Sequence, residues 1–396
     1  MNSREQAEKL ISQLSAWRRH IHMNPELSFD EVDTSRFVAQ KLQEIPGMKV
    51  ETGVGFPTAV VGTLSSGSGR TIAIRADMDA LPVQEENGHG FKSRKKNVMH
   101  ACGHDAHTAI GLGAATLLGE LFQNGKLTGT VKFLFQPAEE RADDLGSTGA
   151  PYLIQSGVLK DVDRVIALHM SPEDLFGEVK VHDGYSMAAG DVFEAKIHGS
   201  GGHGAYPHLA LDPMWMLGPV FSTVHGIVSR RISPLDAGVI SIGSIESGFA
   251  SNVIPSDVTI KGTIRSYRPE VRDVLHKELD KAFSLVKPLG GEYDLSIRAE
   301  DPALANDPAV NQAIRKVFND LYPDYTIKNM PFGLGGEDFA HMTKTVPGAM
   351  FFLGCGLDDG ESRNLHTPNF DIDERVLPVG AAIFTEAARQ FLTKTD

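Results

Sequence analysis

The sequence predicts an α/β protein in which a central, largely parallel sheet is covered by helices and a smaller α+β domain is inserted. Apolar, β-branched runs alternate with helical patterns along the first part of the chain, as in doubly covered parallel sheets. Residues 184–299 instead show the order strand–helix–strand–strand–helix–strand, which is ferredoxin-like. A chain of 396 residues also exceeds what one hydrophobic core usually serves, so two domains are expected.

Each element is predicted from a local pattern. Apolar residues at helical spacing, among them Leu14 and Trp17, predict an amphipathic first helix. It is expected to end near Asn24, because the residue before Pro25 avoids the helical region. The same reasoning predicts further helices at residues 34–44, 106–122, 213–231, 269–286 and 308–321 and from about 378. Short apolar runs bounded by turn residues predict strands at residues 58–64, 71–76, 131–136, 164–168, 191–198, 238–245, 257–266, 292–299 and 349–353.

The change of pattern near Gly184 gives the expected domain boundaries. Residues 1–183 and 300–396 are assigned to the first domain, since the strand at 349–353 and the last helix resume its pattern. Residues 184–299 form the inserted domain.

Composition and charge exclude several classes of partner. The formal net charge is −13, and so acidic a surface repels phosphate backbones and anionic lipid, which argues against nucleic acid and membrane partners. Cys102 and Cys355 are too few for a disulfide framework and are expected to be free thiols, as in a reducing cytoplasm. No signal-peptide core or run of about 18 apolar residues is visible, so a soluble, cytoplasmic protein is expected.

The stretch HACGHDAH, from His100 to His107, concentrates side chains that bind transition metals. Cys102 and His104 lie two residues apart on a loop before a helix, where the helix dipole favours a thiolate. We interpret these two residues as metal ligands, and Asp105 as the N-cap of the helix. For His100 and His107 we predict ordinary surface polar groups, with support of a metal ligand as the alternative.

Other polar residues follow predicted strands, where sites form in α/β sheets. The adjacent carboxylates of Glu139 and Glu140 repel each other, and a metal ion would relieve that repulsion while one carboxylate handles a proton. The alternative is a pair of solvated acids. Asp79 and His169 follow two further strands, and His366 lies near the end of the chain. Each residue alone is weak evidence, but together they indicate a site.

Nine motifs occur in one order from residue 75 to residue 370, within matches that run from about residue 18 to 370: RADMDALP, HACGHDAH, FQPAEE, ALHM, GGHGAYPH, NVIP, GTIRS, GGEDFA and NLHTPNF. This series resembles the two-metal amidohydrolases, a family that includes bacterial aminoacylases, hippurate hydrolases, auxin-conjugate (IAA-amino acid) hydrolases and related carboxypeptidases. The resemblance implies a fold like that of metal-dependent exopeptidases, in which the inserted ferredoxin-like domain serves as a lid or for dimerisation.

The resemblance also implies a set of metal ligands. Cys102 would bridge two divalent metal ions, which could be zinc, manganese, cobalt or nickel. His104 and His169 would complete one metal site, and Glu140 and His366 would complete the other.

The remaining implied roles concern the proton and the substrate. Glu139 would be the general base, and Asp79 would orient a metal ligand. His203, in a glycine-rich turn, would donate to the oxyanion in its own or a partner subunit. Asn252 and Arg265 would hold the substrate carboxylate, although a salt bridge on an exposed strand is the alternative for Arg265.

Two positions differ from the wider pattern. Asp77 stands where the superfamily has a histidine ligand, and His104 is expected to replace it, as is typical of this branch. Residues 141–145 replace a glycine run that is usual in relatives, so no side-chain preference is transferred across this loop. His208, in the same motif as His203, is expected to be structural.

The implied reaction is hydrolysis of the amide of an N-acyl amino acid or small peptide-like conjugate. Two alternatives stay open: a thiol hydrolase with Cys102 as nucleophile, or a non-catalytic relative that binds a small acid. The chain is also expected to form a homodimer or a larger homo-oligomer through the edge strands and exposed helix of the inserted domain.

Overall fold

The computed structural model describes residues 2–393, which form two compact units. The first unit runs to Gly184 and resumes over Ala305–Phe332 and from Asp338. The second unit comprises Tyr185–Leu304 and Gly333–Glu337. Residues 300–304 and 333–337, which were expected in the first domain, therefore belong to the second unit.

The helices of the described residues largely follow the predicted ranges. The α-helices are α1 (Ser3–Glu8), α2 (Ile11–Met23), α3 (Val32–Gln43), α4 (His104–Gln123), α5 (Gly149–Gln155), α6 (Pro213–Arg231), α7 (Pro269–Phe283), α8 (Pro308–Leu321), α9 (Phe339–Thr345) and α10 (Val376–Thr393). Two short 3₁₀ helices cover Pro207–Leu209 and Ser284–Leu289. None of the helices within residues 2–393 combines the length and the apolar character that crossing a membrane requires.

The strands include several short ones that the sequence patterns did not predict. They are β1 (Lys49–Thr52), β2 (Val60–Ser65), β3 (Thr71–Asp77), β4 (Thr130–Gln136), β5 (Arg164–Leu175), β6 (Glu178–Lys180), β7 (Gly184–Met187), β8 (Ala189–His198), β9 (Gly202–His203), β10 (Gly238–Glu246), β11 (Val253–Ile254), β12 (Asp257–Ser266), β13 (Glu292–Ala299), β14 (Leu304–Asn306), β15 (Thr326–Lys328) and β16 (Gly348–Gly356).

The first unit is built on an eight-stranded sheet in the order β1-β2-β4-β3-β5-β16-β6-β15. Strands β4, β3, β5 and β16 run parallel to one another at its centre, whereas β1 and β2 are antiparallel at one edge. All residues of β3 and β16 are buried, as expected for strands with both faces covered. The predicted central, largely parallel sheet covered by helices is therefore confirmed.

Small residues allow helices of the first unit to approach closely. A Cβ atom on Gly113 of α4 would lie 2.6 Å from the Leu14 side chain of α2. A Cβ atom on Gly380 of α10 would lie 2.8 Å from Ile110 of α4. The largely buried α4, which begins at His104, is thus packed closely between other helices.

The second unit contains an antiparallel sheet in the order β10-β12-β8-β13. Helices α6 and α7 bury apolar residues such as Val220 and Leu275 together with Phe193 of the sheet. The order β8-α6-β10-β12-α7-β13 confirms the ferredoxin-like prediction. A small ribbon of β9 and β11 carries His203 opposite Val253.

Candidate metal centre

Four segments of the first unit bring the predicted metal ligands together. Cys102 precedes α4 and His104 begins it, Glu140 follows β4, His169 lies within β5, and His366 lies between β16 and α10. Nε2 of His169 lies 3.5 Å from Sγ of Cys102. Nε2 of His366 lies 3.3 Å from Oε1 of Glu140. The four segments are far apart in the chain, so the fold brings them together.

The ligand atoms form two groups that share one thiol. The atoms of Cys102, His104 and His169 all lie within 4.8 Å of one another, and so do those of Cys102, Glu140 and His366. Cysteine, histidine and carboxylate ligands suit zinc and neighbouring divalent ions. Membership of Cys102 in both groups is what a ligand that bridges two ions requires.

The charges in the cluster favour a cation. Burial alone would lower the pKa of His104, but the carboxylates of Asp77, Asp79 and Glu140 raise it to about 10. Nε2 of His104 is nevertheless buried and has no hydrogen-bond partner within the described chain. Burial and the neighbouring acids also raise the pKa of the Cys102 thiol well above its ordinary value. Divalent ions would satisfy the orphaned nitrogen and offset the acids, so the residues fit the predicted metals.

Hydrogen bonds on the far side of two imidazoles leave their Nε2 atoms available. Nδ1 of His104 lies 3.2 Å from Oδ1 of Asp79. Nδ1–H of His169 donates to the Met170 carbonyl over 2.8 Å, and the pKa of His169 is lowered well below its ordinary value, chiefly by burial. Asp79 is itself held by the Ser28 hydroxyl, 2.6 Å away. Asp79 thus has the contacts expected of a residue that orients a ligand.

Asp77 and His107 form a buried support beside the ligands. Asp77 accepts hydrogen bonds from Arg75 and, over 2.6 Å, from Nδ1–H of His107. Nε2 of His107 accepts the Met170 N–H over 2.9 Å. Strands β3 and β5 pair through their backbones only as far as Ile74. Beyond that point the His107 ring connects Asp77 of β3 with Met170 of β5. The prediction of a surface role for His107 is therefore wrong, since its ring is buried and both nitrogens are engaged.

Two further expectations for the HACGHDAH stretch need correction. His100 is buried rather than exposed, its ring nitrogens have no hydrogen-bond partner in the described chain, and burial lowers its pKa to about 3. The N-cap of α4 is Gly103 in the left-handed region at φ 85°, not Asp105. Asp105 instead accepts hydrogen bonds from Arg18 and His22, each over 2.7 Å. A buried arginine attracts this carboxylate more strongly than backbone N–H groups do.

The two loops that carry the proposed ligands Glu140 and His366 each contain a residue with left-handed backbone conformation. Ala138 has φ 50° and His366 has φ 63°, conformations that cost a non-glycine residue about 1–3 kcal/mol. The His366 N–H donates to the Ala101 carbonyl over 2.7 Å, and the Ala138 N–H donates to Glu31 over 2.8 Å. The surrounding contacts therefore hold both loops in place against this strain.

Two buried acidic residues that contact the surroundings of the cluster were not predicted from the sequence. The buried Glu31 carboxylate accepts hydrogen bonds from the Ala138 N–H and the Thr58 hydroxyl, and burial and Asp79 raise its pKa to about 7. Asp338 accepts a hydrogen bond from Arg75 over 2.8 Å. Asp338 lies in the quoted GGEDFA motif, which is a signal that could have found it, whereas the sequence around Glu31 contains none.

Glu139 lies at the border of the cluster. Its Oε2 is 4.0 Å from Nε2 of His104, and its side chain is 11% exposed. With His104 and Glu140 it forms a third group whose ligand atoms lie within 4.8 Å of one another. A carboxylate that is close to the ligands and still partly exposed has the access that proton transfer requires.

Three predicted substrate contacts belong to the second unit. His203 is exposed, and its Nδ1 accepts the Ala205 N–H over 3.0 Å, so a neutral ring carries its proton on Nε2. Asn252 is also exposed. Arg265 on β12 extends over Gly190, where a Cβ atom would lie 2.3 Å from the guanidinium. The roles of these three residues stay predictions.

Comparisons with known proteins agree on one family. Residues 73–390 match the model of peptidase family M20/M25/M40. Thermostable carboxypeptidase 2 of Saccharolobus solfataricus is 39% identical over 98% of this chain and 99% of its own. N-acetyl-L-cysteine deacetylase of Bacillus subtilis is 36% identical over 98% and 90% of the two chains. The crystal structure of Bacillus subtilis YXEP, a dinuclear metal binding peptidase from the M20 family, has a TM-score of 0.85 at 31% identity and covers 98% of this chain and 100% of its own.

The chemistry of the cluster disfavours a thiol hydrolase. Burial and nearby carboxylates raise the pKa of the Cys102 thiol well above its ordinary value, which disfavours the thiolate that a nucleophile requires. The residues instead fit divalent metal ions, as in the dinuclear relative. By its sequence, its fold and this cluster, the chain belongs to peptidase family M20/M25/M40 and is a metal-dependent amidohydrolase.

Proposed function

We propose that the enzyme hydrolyses the amide of N-acyl amino acids or small peptide-like conjugates, releasing a carboxylic acid and a free amino acid. The observation that carries this is the position of Glu139 beside two ligand groups that share Cys102. Relatives named carboxypeptidase, N-acetyl-L-cysteine deacetylase and IAA-amino acid hydrolase support the substrate class.

Five residues would hold the ions. Cys102, with His104 and His169, would hold one divalent ion, and the same thiol with Glu140 and His366 would hold the second. Zinc, manganese, cobalt and nickel all suit such ligands. When bound, such ions lower the pKa of water towards about 7 and polarise the substrate carbonyl.

The protein's own side chains move the proton and position the substrate. Glu139 takes a proton from the attacking water and passes it to the leaving amine, while Asp79 keeps His104 in place. His203 would donate from Nε2 to the carbonyl oxygen as it becomes negative, and loss of such a donor typically costs about 10²–10³ in kcat. Asn252 and Arg265 would hold the substrate carboxylate.

The direct test replaces the proposed base. Glu139→Gln should keep the metal content of the parent enzyme, but its kcat on an N-acyl amino acid should fall by about 10²–10⁴. Metal is measured by elemental analysis and turnover by release of the free amino acid. The reason is that an amide can neither take nor return the proton.

Glu140→Gln is the matched control, because the same chemical change is made one residue away. It should lose metal and regain part of its activity at high metal concentration, since Glu140 would be a ligand. Full activity of Glu139→Gln, or activity of the parent after verified removal of its metal, would contradict the mechanism.

We also propose that the enzyme works in the cytoplasm as a homodimer or a larger homo-oligomer. Both cysteines are buried and free of disulfides, which suits a reducing compartment. The second unit has open sheet edges at β10 and β13 and exposed apolar residues at the start of α6, including Trp215 at 60% exposure.

A further inference from the structure

We infer that four side chains around the long loop between β3 and α4 form a further metal site, here called the loop site, which binds one zinc ion. They are His22 of α2, Glu85 and His89 of the loop, and Asp371 in the segment before α10. The inference goes beyond the proposed function, because the loop site shares no residue with the five proposed ligands of the metal centre.

Two imidazoles meet at one carboxylate oxygen in the loop site. Nε2 of His22 lies 3.2 Å and Nε2 of His89 lies 3.3 Å from Oε1 of Glu85. Oδ2 of Asp371 lies 3.9 Å from the same nitrogen of His89. Ligand atoms held about 2.0–2.2 Å from a tetrahedral zinc ion are about 3.3–3.6 Å apart, so these spacings suit four ligands around one ion.

The His89 ring has the position of a ligand but lacks a bonding partner. Both of its nitrogens are buried and have no hydrogen-bond partner among residues 2–393, although Nε2 lies so close to Glu85. Burial lowers the pKa of His89, which keeps the ring in the neutral form that binds metal. The ring stacks on Phe91 with a centroid distance of 3.8 Å. A cation between His89 and Glu85 would give the buried nitrogen the partner it lacks.

Hydrogen bonds orient the two most buried members of the loop site. Nδ1–H of His22 donates to Asp105 over 2.7 Å, which leaves Nε2 towards Glu85. The second oxygen of Glu85 accepts the Ser93 N–H over 2.6 Å. Carboxylates commonly hold metal-binding histidines in this way. Zinc at the loop site would replace the proton that Nε2 of His22 shares with Glu85.

The charges around the loop site favour a divalent cation. The ion pairs that surround it connect four carboxylates with two guanidinium groups, so with neutral imidazoles the acids are in excess by two charges. The carboxylates belong to Glu85, Asp105, Asp371 and Glu374, and the guanidinium groups belong to Arg18 and Arg19. A zinc ion would balance this excess. Imidazole ligands favour zinc over calcium and magnesium, which prefer oxygen ligands.

The loop site is placed to hold a long loop. Residues 78–103 contain only isolated bridges between β3 and α4, and loops longer than about 12–15 residues are uncommon in compact domains. The side chains of His89 and Asp371 are each 17% exposed, so an ion can enter from that side. One ion would join this loop to α2 and to the segment before α10, and the loop leads directly to Cys102.

Zinc content tests the inference. The parent enzyme and His89→Gln are saturated with zinc, desalted and analysed for metal per chain. We expect one zinc ion fewer in His89→Gln, because an amide is a poor zinc ligand in place of an imidazole. His20→Gln is the matched control, since His20 is an exposed residue of α2 that also stacks on a phenylalanine, and it should keep the zinc content of the parent. Equal zinc content in the parent and His89→Gln would overturn the inference.

His89→Glu separates a metal ligand from a ring that only packs. Glutamate has the reach of glutamine but offers a charged oxygen that binds zinc, so His89→Glu should keep the ion that His89→Gln loses. Loss of the ion in both variants would show that the ring acts through packing on Phe91 and would overturn the inference. The proposed ligands of the metal centre are the same in every variant, so the comparison does not depend on the proposed function.

Proteolysis measures the effect of zinc on the loop itself. Lys92, Arg94, Lys95 and Lys96 are exposed and give trypsin several cleavage sites in the loop. Zinc at about ten times its dissociation constant should slow cleavage there about tenfold in the parent, because the bound ion favours the closed loop by mass action. His89→Gln should lose most of this protection, as measured by mass spectrometry of the fragments. Equal protection by zinc in the parent and His89→Gln would overturn the inference.

Discussion

Four buried histidines near Cys102 differ in what their ring nitrogens contact. His104 and His169 engage Nδ1 and keep Nε2 towards the proposed metals. His107 uses both nitrogens within the protein, and His100 uses neither within the described chain. In His104, His169 and His107 an oxygen acceptor holds a proton on Nδ1, and the three rings differ in what their Nε2 atoms face, whereas His100 has no partner for either nitrogen in the described chain.

The support by His107 predicts a loss of metal affinity when it is removed. His107→Leu removes one of the hydrogen-bond donors to Asp77, which keeps Arg75, and leaves the Met170 N–H without its His107 acceptor, beside two proposed ligands. Metal affinity should fall about 10–100-fold, as is typical when a ligand loses its support. Competition with a chelator of known affinity measures the change.

His100→Leu is the matched control for a buried histidine. It removes an imidazole that has no hydrogen-bond partner in the described chain, so metal affinity should stay unchanged. The free energy of unfolding should stay equal or rise, because no buried polar group is left unpaired. An equal loss of affinity in His100→Leu and His107→Leu would refute the support role.

The raised pKa of Glu31 predicts a pH dependence of stability in the metal-free protein. Its pKa of about 7 in the folded state exceeds the ordinary value of 4.5, so the fold favours the protonated acid. This stabilisation is fully present below pH 4.5 and is lost as the pH rises through 7, at a cost of about 3 kcal/mol. Denaturant unfolding at several pH values measures it.

Glu31→Gln should abolish this dependence. Glutamine keeps an oxygen that can accept the N–H groups of Phe29 and Ala138, and its NH₂ group can donate to Thr58. If wild type and Glu31→Gln lose stability equally between pH 5 and pH 8, Glu31 is not the group that titrates.

At the scale of elements, one buried arginine ties helices together at the start of α4. Arg18 on α2 is fully buried and contacts Asp105 of α4 over 2.7 Å. It also lies 3.2 Å from Asp371 and 3.3 Å from Glu374, which precede α10. Since α4 begins at His104, this junction also fixes the backbone of a proposed ligand.

Loss of this arginine should destabilise the fold strongly. Arg18→Leu leaves Asp105 buried with less compensation, so the free energy of unfolding should fall by about 3–5 kcal/mol. Arg19→Leu is the control, because Arg19 is 48% exposed and pairs with Glu374 only at the surface. It should cost no more than about 1 kcal/mol. Equal costs in denaturant unfolding would contradict the role of the junction.

At the scale of the whole molecule, self-association is the open prediction. Light scattering should give at least a dimer, and Trp215→Asp should shift the mass towards the monomer, because it places a charge on an exposed apolar face. Leu145→Asp, at a first-unit residue that is 85% exposed, should leave the mass unchanged. A monomeric mass for the wild-type protein would contradict the proposal.

The fold class followed from short-range patterns, whereas the full ligand list followed from the resemblance of the ordered motifs to a known family. The apolar run of β3 and the strand order after Gly184 depend on residue spacing, which is read directly along the chain. The ligand motifs combine residue chemistry with proximity to strand ends. Segments such as β6 and β15, each three residues long, were missed because so short a strand is defined by its partner.

What the sequence determined by itself was periodicity and chemistry: which segments form strands and helices, and that Cys102, His104 and Glu140 are suited to bind metal. Only the tertiary structure decided which buried polar groups meet. Arg75 and Asp338 are 263 residues apart in the chain, and Asp105 bonds to Arg18 rather than capping its own helix. The partner of a buried charge is set by packing and desolvation across the whole unit, and these leave no local pattern in the sequence.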